Sequence, residues 1–361
     1  MAEYTESPLR LAVPSKGRLE QQTLDFLAAA GLKVHRPNER QYIASLPAVT
    51  GVSIIFQRAG DIPDKVNGGS TDERVLSTTD AHLEHTGQVE LGITGYDLVC
   101  EQQEAHPKIV VIYPELGFGR CQLVLAVPEG WLDVTSIGDL AEVAVHFKER
   151  KGRYLRIATK HANLTKNWLY QQGIIHFSLV KVEGAIEAAP SMGYADIIAD
   201  VSSSGTTLRE NRLKTITGGT IIDSQTCLIG NRTLLRAHPA RLEQTRTIIE
   251  LIEAYLRSKK YVSVTANICG PSPEAIARQL NRDSTFGLHG PTIARVYGSN
   301  AADESWYSVT VVITEKSIMP TVDHLRRAGG KDITVLPITY FFESASSTYE
   351  RLLKALQQDS A

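Results

Sequence analysis

The chain has little of what marks membrane, secreted, metal-dependent or nucleic-acid-binding proteins. No run among its 361 residues is long and apolar enough to span a bilayer. The opening Met1 to Pro8 has no basic segment followed by an apolar core, so the sequence predicts no signal peptide and a cytoplasmic location. The 38 basic and 40 acidic residues leave a formal charge of −2. No basic field runs along the chain, which excludes a nucleic-acid scaffold and leaves any anion binding to local Lys, Arg and backbone amides. Cys100, Cys121, Cys227 and Cys269 are far apart and lack metal-ligand spacing, as befits reduced thiols. His82 and His85 are the one close histidine pair; with no third ligand in view they predict an exposed loop or helix and no metal. The length predicts two or three domains of ordinary globular composition.

What the chain does have is the run from Glu187 to Leu208, Glu-Ala-Ala-Pro-Ser-Met-Gly-Tyr-Ala-Asp-Ile-Ile-Ala-Asp-Val-Ser-Ser-Ser-Gly-Thr-Thr-Leu. An apolar strand leads to Asp200 and then to a turn of small hydroxyl residues. Ser203, Ser204, Gly205, Thr206 and Thr207 are small enough for backbone N–H groups to converge on an anion, and a helix opening at Leu208 would add its N-terminal dipole. Asp200, just ahead of that cradle, stands where a ribose hydroxyl pair or a magnesium ion bound to one would sit. The same turn also fits an ordinary capped helix start.

The chain opens on a short buried strand, Leu9 to Pro14, that runs into Ser15-Lys-Gly-Arg-Leu19 and an amphipathic helix ending at Gly31. Further strands are expected at 52–57, 91–94, 108–113, 122–127 and 155–158, with helices between several of them. The pattern is α/β with largely parallel sheets. Polar loops leave these strands as Arg58-Ala-Gly-Asp61-Ile-Pro, Gly95-Tyr96-Asp97 and Thr159-Lys160, and ligands bind at such strand ends in open α/β sheets. From Tyr261 onward the order becomes βαββαβ, the ferredoxin-like plan. Its strands are expected at 261–268, 292–297, 306–313 and from 333 towards 341, and its helices at 272–280 and 317–328.

The run from 187 to 208 resembles the signature of the ATP phosphoribosyltransferase family, whose fixed positions are filled by Glu187, Gly193, Ala195, Ile198, Asp200, Val201, Ser204, Gly205, Thr207 and Leu208. Pro-Ser-Lys-Gly-Arg-Leu, Arg-x-x-Asp-Ile-Pro, Gly-Ile-Thr-Gly-Tyr-Asp and Ala-Thr-Lys followed by Asn-Leu-Thr resemble further elements of that family, in order. The chain departs from it between Asn67 and Gln88, where an added segment is expected to form a surface excursion, and at Glu90, where the family more often has Asp.

The resemblance implies a two-lobed, periplasmic-binding-protein-like (type II) catalytic unit followed by a ferredoxin-like regulatory domain, as in the long form of the enzyme. The first lobe would take 1–118, the second lobe 119–218 with the PRPP loop, the return to the first lobe 219–257 and the regulatory domain 258–361. The implied reaction transfers the phosphoribosyl group of PRPP to N1 of ATP and releases pyrophosphate, with Mg2+ as cofactor carried by PRPP near Asp200. Ser203 to Thr207 would hold the 5′-phosphate, and Asp200 and Glu187 the ribose. Lys16, Arg18 and Lys160 would face polyphosphate oxygens, and Tyr96, Asp97, Arg58 and Asp61 would lie by the nucleotide. Catalysis would rest on Glu187, Asp200, Lys16 and Arg18. Thr285, Gly287 and Thr292 are the candidates for holding a histidine inhibitor, with AMP as a further candidate effector. The resemblance also implies a homo-hexamer built from dimers and no separate regulatory subunit. The competing reading is a non-catalytic bilobal nucleotide or small-molecule binding protein, since a fold alone does not fix a function.

Overall fold

The computed structural model describes residues 8–38, 40–68, 89–182, 184–281, 287–297 and 305–357. The first strands are β1 (Leu9–Pro14), β2 (Ile43–Ser45), β3 (Val52–Gln57), β4 (Leu91–Gly95) and β5 (Ile109–Tyr113). After them come β6 (Cys121–Pro128), β7 (Leu155–Thr159), β8 (Phe177–Val180), β9 (Ile197–Ser202), β10 (Leu213–Ser224) and β11 (Thr226–Asn231). They form two sheets, ordered β2-β3-β1-β4-β11-β5 and β10-β6-β9-β7-β8. Both follow one plan. A central strand pairs in parallel with two later ones (β1 with β3 and β4, β7 with β8 and β9), and a strand arriving from the other lobe, β11 or β6, inserts antiparallel beside β4 or β9. This is the expected two-lobed arrangement. Leu11-Ala-Val in β1 and every residue of β11 are buried; β11 is antiparallel to both its neighbours, so the sheets are mixed and not largely parallel as the sequence pattern suggested. The helix Gly17–Ala29 lays Thr23, Phe26 and Leu27 inward at helical spacing.

The chain crosses between lobes over 114–120 and again at Gln225 alone. The second crossing was expected at 219, but Gly218 and Gly219 lie in a register shift of β10 between Thr215 and Thr220, with Gly218 at φ +74°. The glycines bend the strand instead of ending it. Glu90 anchors the first lobe from a fully enclosed position: it accepts from the backbone N–H of Arg10 at 2.8 Å and pairs with Arg241.

By its contacts the chain divides into two compact units, one of Met1–Ala28, Leu32–Arg246 and Thr348–Ala361, the other of Ala29–Gly31 and Thr247–Ser347. The helix Pro239–Ser258 therefore contributes its second half to the second unit, earlier than the boundary expected at 258. Phe341 N–H bonds Ala254 O, Ser258 Oγ bonds Thr339 O, and Ser346 and Ser347 donate to Glu253, all within that unit. Its sheet holds β12 (Tyr261–Cys269), β13 (Thr292–Val296), β14 (Trp306–Thr314) and β15 (Lys331–Pro337) in the antiparallel order β13-β14-β12-β15 of a ferredoxin-like fold. The helices Pro273–Leu280 and Ile318–Arg327 contribute Ile276, Leu280 and Leu325 to its core, and Ser272 caps the first by accepting from Ala275 N–H. Where a strand was expected to run on towards Phe341, β15 stops at Pro337. The last helix, Ser347–Gln357, buries Thr348, Leu352 and Leu356 and belongs to the first unit; the reading that assigned 258–361 to one domain missed it.

Candidate active site

At the end of β9, Gly205 adopts φ +70° and turns the chain into a helix, Thr206–Glu210. Only glycine takes this backbone without strain. Ser202 Oγ accepts from Gly205 N–H at 3.0 Å and Ser204 Oγ donates to Thr206 Oγ1 at 3.0 Å, which shapes the loop. Ser203, Ser204, Thr206 and Thr207 are exposed. The helix opens at Thr206, ahead of the expected Leu208, and its single turn gives little of the dipole that the sequence suggested. Arg209 supplies positive charge instead: its guanidinium reaches back to Thr206 Oγ1 at 3.3 Å and Ser204 O at 3.5 Å. Sequence reasoning passed over Arg209, although its place three residues beyond Thr206 puts it on the loop's side of the helix.

Asp200 lies in β9 immediately before this loop. Burial pushes its carboxyl above the ordinary range and nearby Glu187 adds to that, while the Val201 N–H, His161 and Lys160 act in the opposite direction. Glu187 is held in a short turn of helix by the buried Ile186. Lys160 follows β7, which pairs with β9 through Thr159 and Ala199; its Nζ donates to Gly184 O at 3.1 Å. The structure thus gathers Glu187, Asp200, Lys160 and the hydroxyl loop at one edge of the second sheet. Among the described residues no three His, Cys, Asp or Glu side chains stand together as a metal cage.

In the first lobe, β1 and β3 run side by side, so the loop with Lys16 and Arg18 lies next to that with Arg58; Ser15 N–H donates to Gln57 O at 2.7 Å. Lys16, Arg18, Arg58 and Asp61 are all exposed. Tyr96 borders a cavity of about 460 Å³ at the crossing strands, together with Arg120, Ser202, Ser203 and Asp223. A hydrogen bond with the Cys100 side chain raises the pKa of its phenol, as do the negative charge that Cys100 carries as a thiolate and burial.

Asp97 departs from expectation. Only 6% exposed, it faces no open cleft. Ser224 Oγ donates to its Oδ1 at 2.6 Å, and His161 Nε2 lies 3.0 Å from its Oδ2. Burial works to raise the Asp97 pKa, but the hydrogen bonds from His161 and Ser224 and the charge of His161 outweigh it, and the net shift is downward. Gly95 is part of the reason for this geometry, since a Cβ there would come within 2.6 Å of Asp97 Oδ1. The sequence reading placed Asp97 beside a nucleotide; the structure makes it a tie between the lobes, with His161 and Ser224 as partners that sequence alone did not single out.

Of the effector candidates, Thr285 lies outside the described residues, as do His82, His85 and nearly all of the added segment. Gly287, at φ +81°, brings its loop so close to β14 that a Cβ would sit 3.2 Å from Val311. Thr292 is exposed on β13 and opens a row with Thr310, Thr265 and Thr334 across all four strands.

Comparison with known proteins is decisive. The profile described as ATP phosphoribosyltransferase matches residues 82–254, and that of the C-terminal domain of the same family matches 258–340. The chain belongs to the ATP phosphoribosyltransferase family. It is 34% identical to ATP phosphoribosyltransferase 2, chloroplastic, of Arabidopsis thaliana over 96% of this chain and 80% of that protein. With the ATP phosphoribosyltransferase of Bradyrhizobium sp. (strain ORS 278) it shares 32% over 96% and 97%. The Brucella anthropi protein of that name is 44% identical over 62% of this chain and 89% of its own length. The solved ATP phosphoribosyl transferase (HisG:HisZ) complex of Thermotoga maritima aligns with a TM-score of 0.47 at 23% identity, over 68% of this chain and 98% of that one. The match to the C-terminal profile makes this a long-form member. No helix among the described residues is long and apolar enough to cross a membrane.

Proposed function

We propose a division of labour among these residues for the family's reaction, the condensation of ATP with PRPP to N1-(5-phosphoribosyl)-ATP and pyrophosphate, the first step of histidine biosynthesis. Ser203, Ser204, Thr206, Thr207 and the backbone of Gly205 hold the 5′-phosphate, with Arg209 balancing its charge. Asp200 and Glu187 hold the ribose hydroxyls and favour the positive charge that grows at C1′ as pyrophosphate departs. Lys160, Lys16 and Arg18 face polyphosphate oxygens, and Arg58, Asp61 and Tyr96 border the nucleotide. The attacking ring nitrogen carries its own lone pair, so alignment of the two substrates does the work that a general base does elsewhere. Mg2+ carried in with PRPP would supply charge neutralisation at the pyrophosphate, and Glu187 and Asp200 are the carboxylates that would hold it.

The observation that carries this reading is the meeting of Glu187, Asp200 and Lys160 beside the hydroxyl loop. The relatives described above all bear the transferase name, and a non-catalytic binder finds no support. Feedback inhibition by histidine through the ferredoxin-like unit, sensitivity to AMP, assembly as a homo-hexamer built from dimers and independence from a regulatory subunit belong to the same proposal. A cytoplasmic location suits the four free cysteines. The test is an initial-rate assay with ATP, PRPP, magnesium and pyrophosphatase, with and without histidine. Turnover suppressed by histidine is expected. Turnover indifferent to histidine would strip the last domain of its regulatory role, and no turnover would overturn the assignment.

A further inference from the structure

His161 is buried, 6% exposed, and has no part in the roles assigned above. It follows Lys160 at the end of β7, and the pairing of Thr159 with Ala199 puts this loop beside Asp200. Its ring, however, engages the other lobe, with Nε2 3.0 Å from Asp97 Oδ2 on the first-lobe helix Tyr96–Glu101. The far end of that helix makes a second tie. Glu101 accepts from the N–H groups of Asn163 and Leu164 at 2.9 Å each, and Glu101 O accepts from Asn163 Nδ2 at 3.0 Å. The helix Ala162–Gln171 begins at His161, whose side chain makes no capping bond; its first amides are satisfied by a carboxylate from across the cleft.

We propose that His161 is a positioning residue for phosphoribosyl transfer: through Asp97 it holds the lobes together and sets Lys160 and Asp200 against the ribose. The proposal rests on the functional reading above. Because Asp97 and His161 are both enclosed, removing the imidazole leaves a buried carboxylate short of a partner, which favours separation of the lobes and entry of water. The Glu101 cap then opens with the pair, because both lie on one short helix.

The test compares His161→Phe, which keeps a ring without a donor, with His161→Gln, which keeps a donor. Hydrogen exchange at the amides of Asn163 and Leu164 reports the clasp without any need for turnover. In His161→Phe these amides are expected to exchange about tenfold or more faster than in wild type, the scale of one lost charge-assisted hydrogen bond, with β6 amides unchanged. The same variant should lose about tenfold or more in kcat/KM for PRPP, and His161→Gln should recover most of both. Glu101→Gln weakens the clasp from its rim and should move the same amides and the same kinetic constant; it decides the matter if His161→Phe fails to fold. Unchanged exchange, equal damage in the Phe and Gln variants, or faster exchange with undiminished kcat/KM would each overturn the proposal. An inactive wild type strikes at the functional reading instead, and the exchange comparison still decides the clasp.

Discussion

Asp97 and Ser224, 127 positions apart in the chain, exchange two hydrogen bonds: Ser224 Oγ donates to Asp97 Oδ1 at 2.6 Å and accepts from the Asp97 backbone N–H at 2.9 Å. Both residues are buried, so neither water nor a flexible neighbour takes over when one is removed. Ser224→Ala leaves a carboxylate oxygen and a backbone N–H without their partner. It is expected to destabilise the protein by about 1–3 kcal/mol, read from the shift of a urea unfolding midpoint at constant slope.

The lowered pKa of Asp97 gives a pH signature. Its folded state binds the proton more weakly than the unfolded chain does. Its contribution to stability is therefore complete above the unfolded value of about 4 and is lost as pH falls through the lowered folded value. Asp97→Asn should be destabilised at neutral pH by about 3 kcal/mol, and its stability should fall less than that of wild type on acidification below pH ~4. Parallel acid-unfolding curves for the two proteins would contradict this.

Asp200 has the opposite sign. Its raised pKa means that the fold prefers the protonated form; its contribution is most favourable below about pH 4 and is lost as pH rises through the raised folded value. At neutral pH the structure holds an anion in a place unfavourable to it. Asp200→Asn is expected to melt higher than wild type at pH 7, with the gain shrinking towards pH 4, while turnover drops on the order of a hundredfold. A variant that melts lower at pH 7 would contradict the raised pKa, and one that turns over near normally would remove Asp200 from the ribose site.

In the loop proposed to hold the 5′-phosphate, Gly205→Ala must carry a side chain at φ +70° with its Cβ 3.2 Å from Arg209. A loss of about 1–2 kcal/mol is expected, together with weaker PRPP binding by calorimetry. Thr207→Val keeps the shape of an exposed residue and removes its hydroxyl. It should leave the melting temperature nearly unchanged and reduce kcat/KM for PRPP about tenfold; an unchanged kcat/KM would take the Thr207 hydroxyl out of the phosphate site.

The sequence made the strands and the three-part architecture legible wherever local pattern carries the information. Leu9–Pro14 and Val52–Gln57 are apolar runs between turn residues, and Ser272-Pro273 announces a helix. What escaped it depends on distant pairing. Asp97 reads as a polar residue at a strand end until Ser224 and His161 arrive from far along the chain. The lobe boundary expected at 218/219 falls inside β10, because β6 pairs on both sides of Gly218-Gly219. The last helix carries a clear apolar stripe, Thr348, Leu352 and Leu356, but no motif, so its grouping with the first unit follows only from tertiary contacts.

Gln225 is the single residue between a strand of one sheet and a strand of the other, and it is pinned: its carbonyl takes the Tyr96 N–H at 2.9 Å and its side chain takes the Gly117 N–H at 3.0 Å. Gly117 belongs to the other crossing, so the two passages are stitched to each other like the spine of a book. When such lobes part they swing instead of sliding, and displacement grows with distance from the spine. Cys121, Ser224 and the nearby cavity wall, which includes Ser202 and Ser203, then stay almost in place. A substrate group seated against the spine keeps its contacts through an opening cycle, and groups at the outer margin are the first to be released.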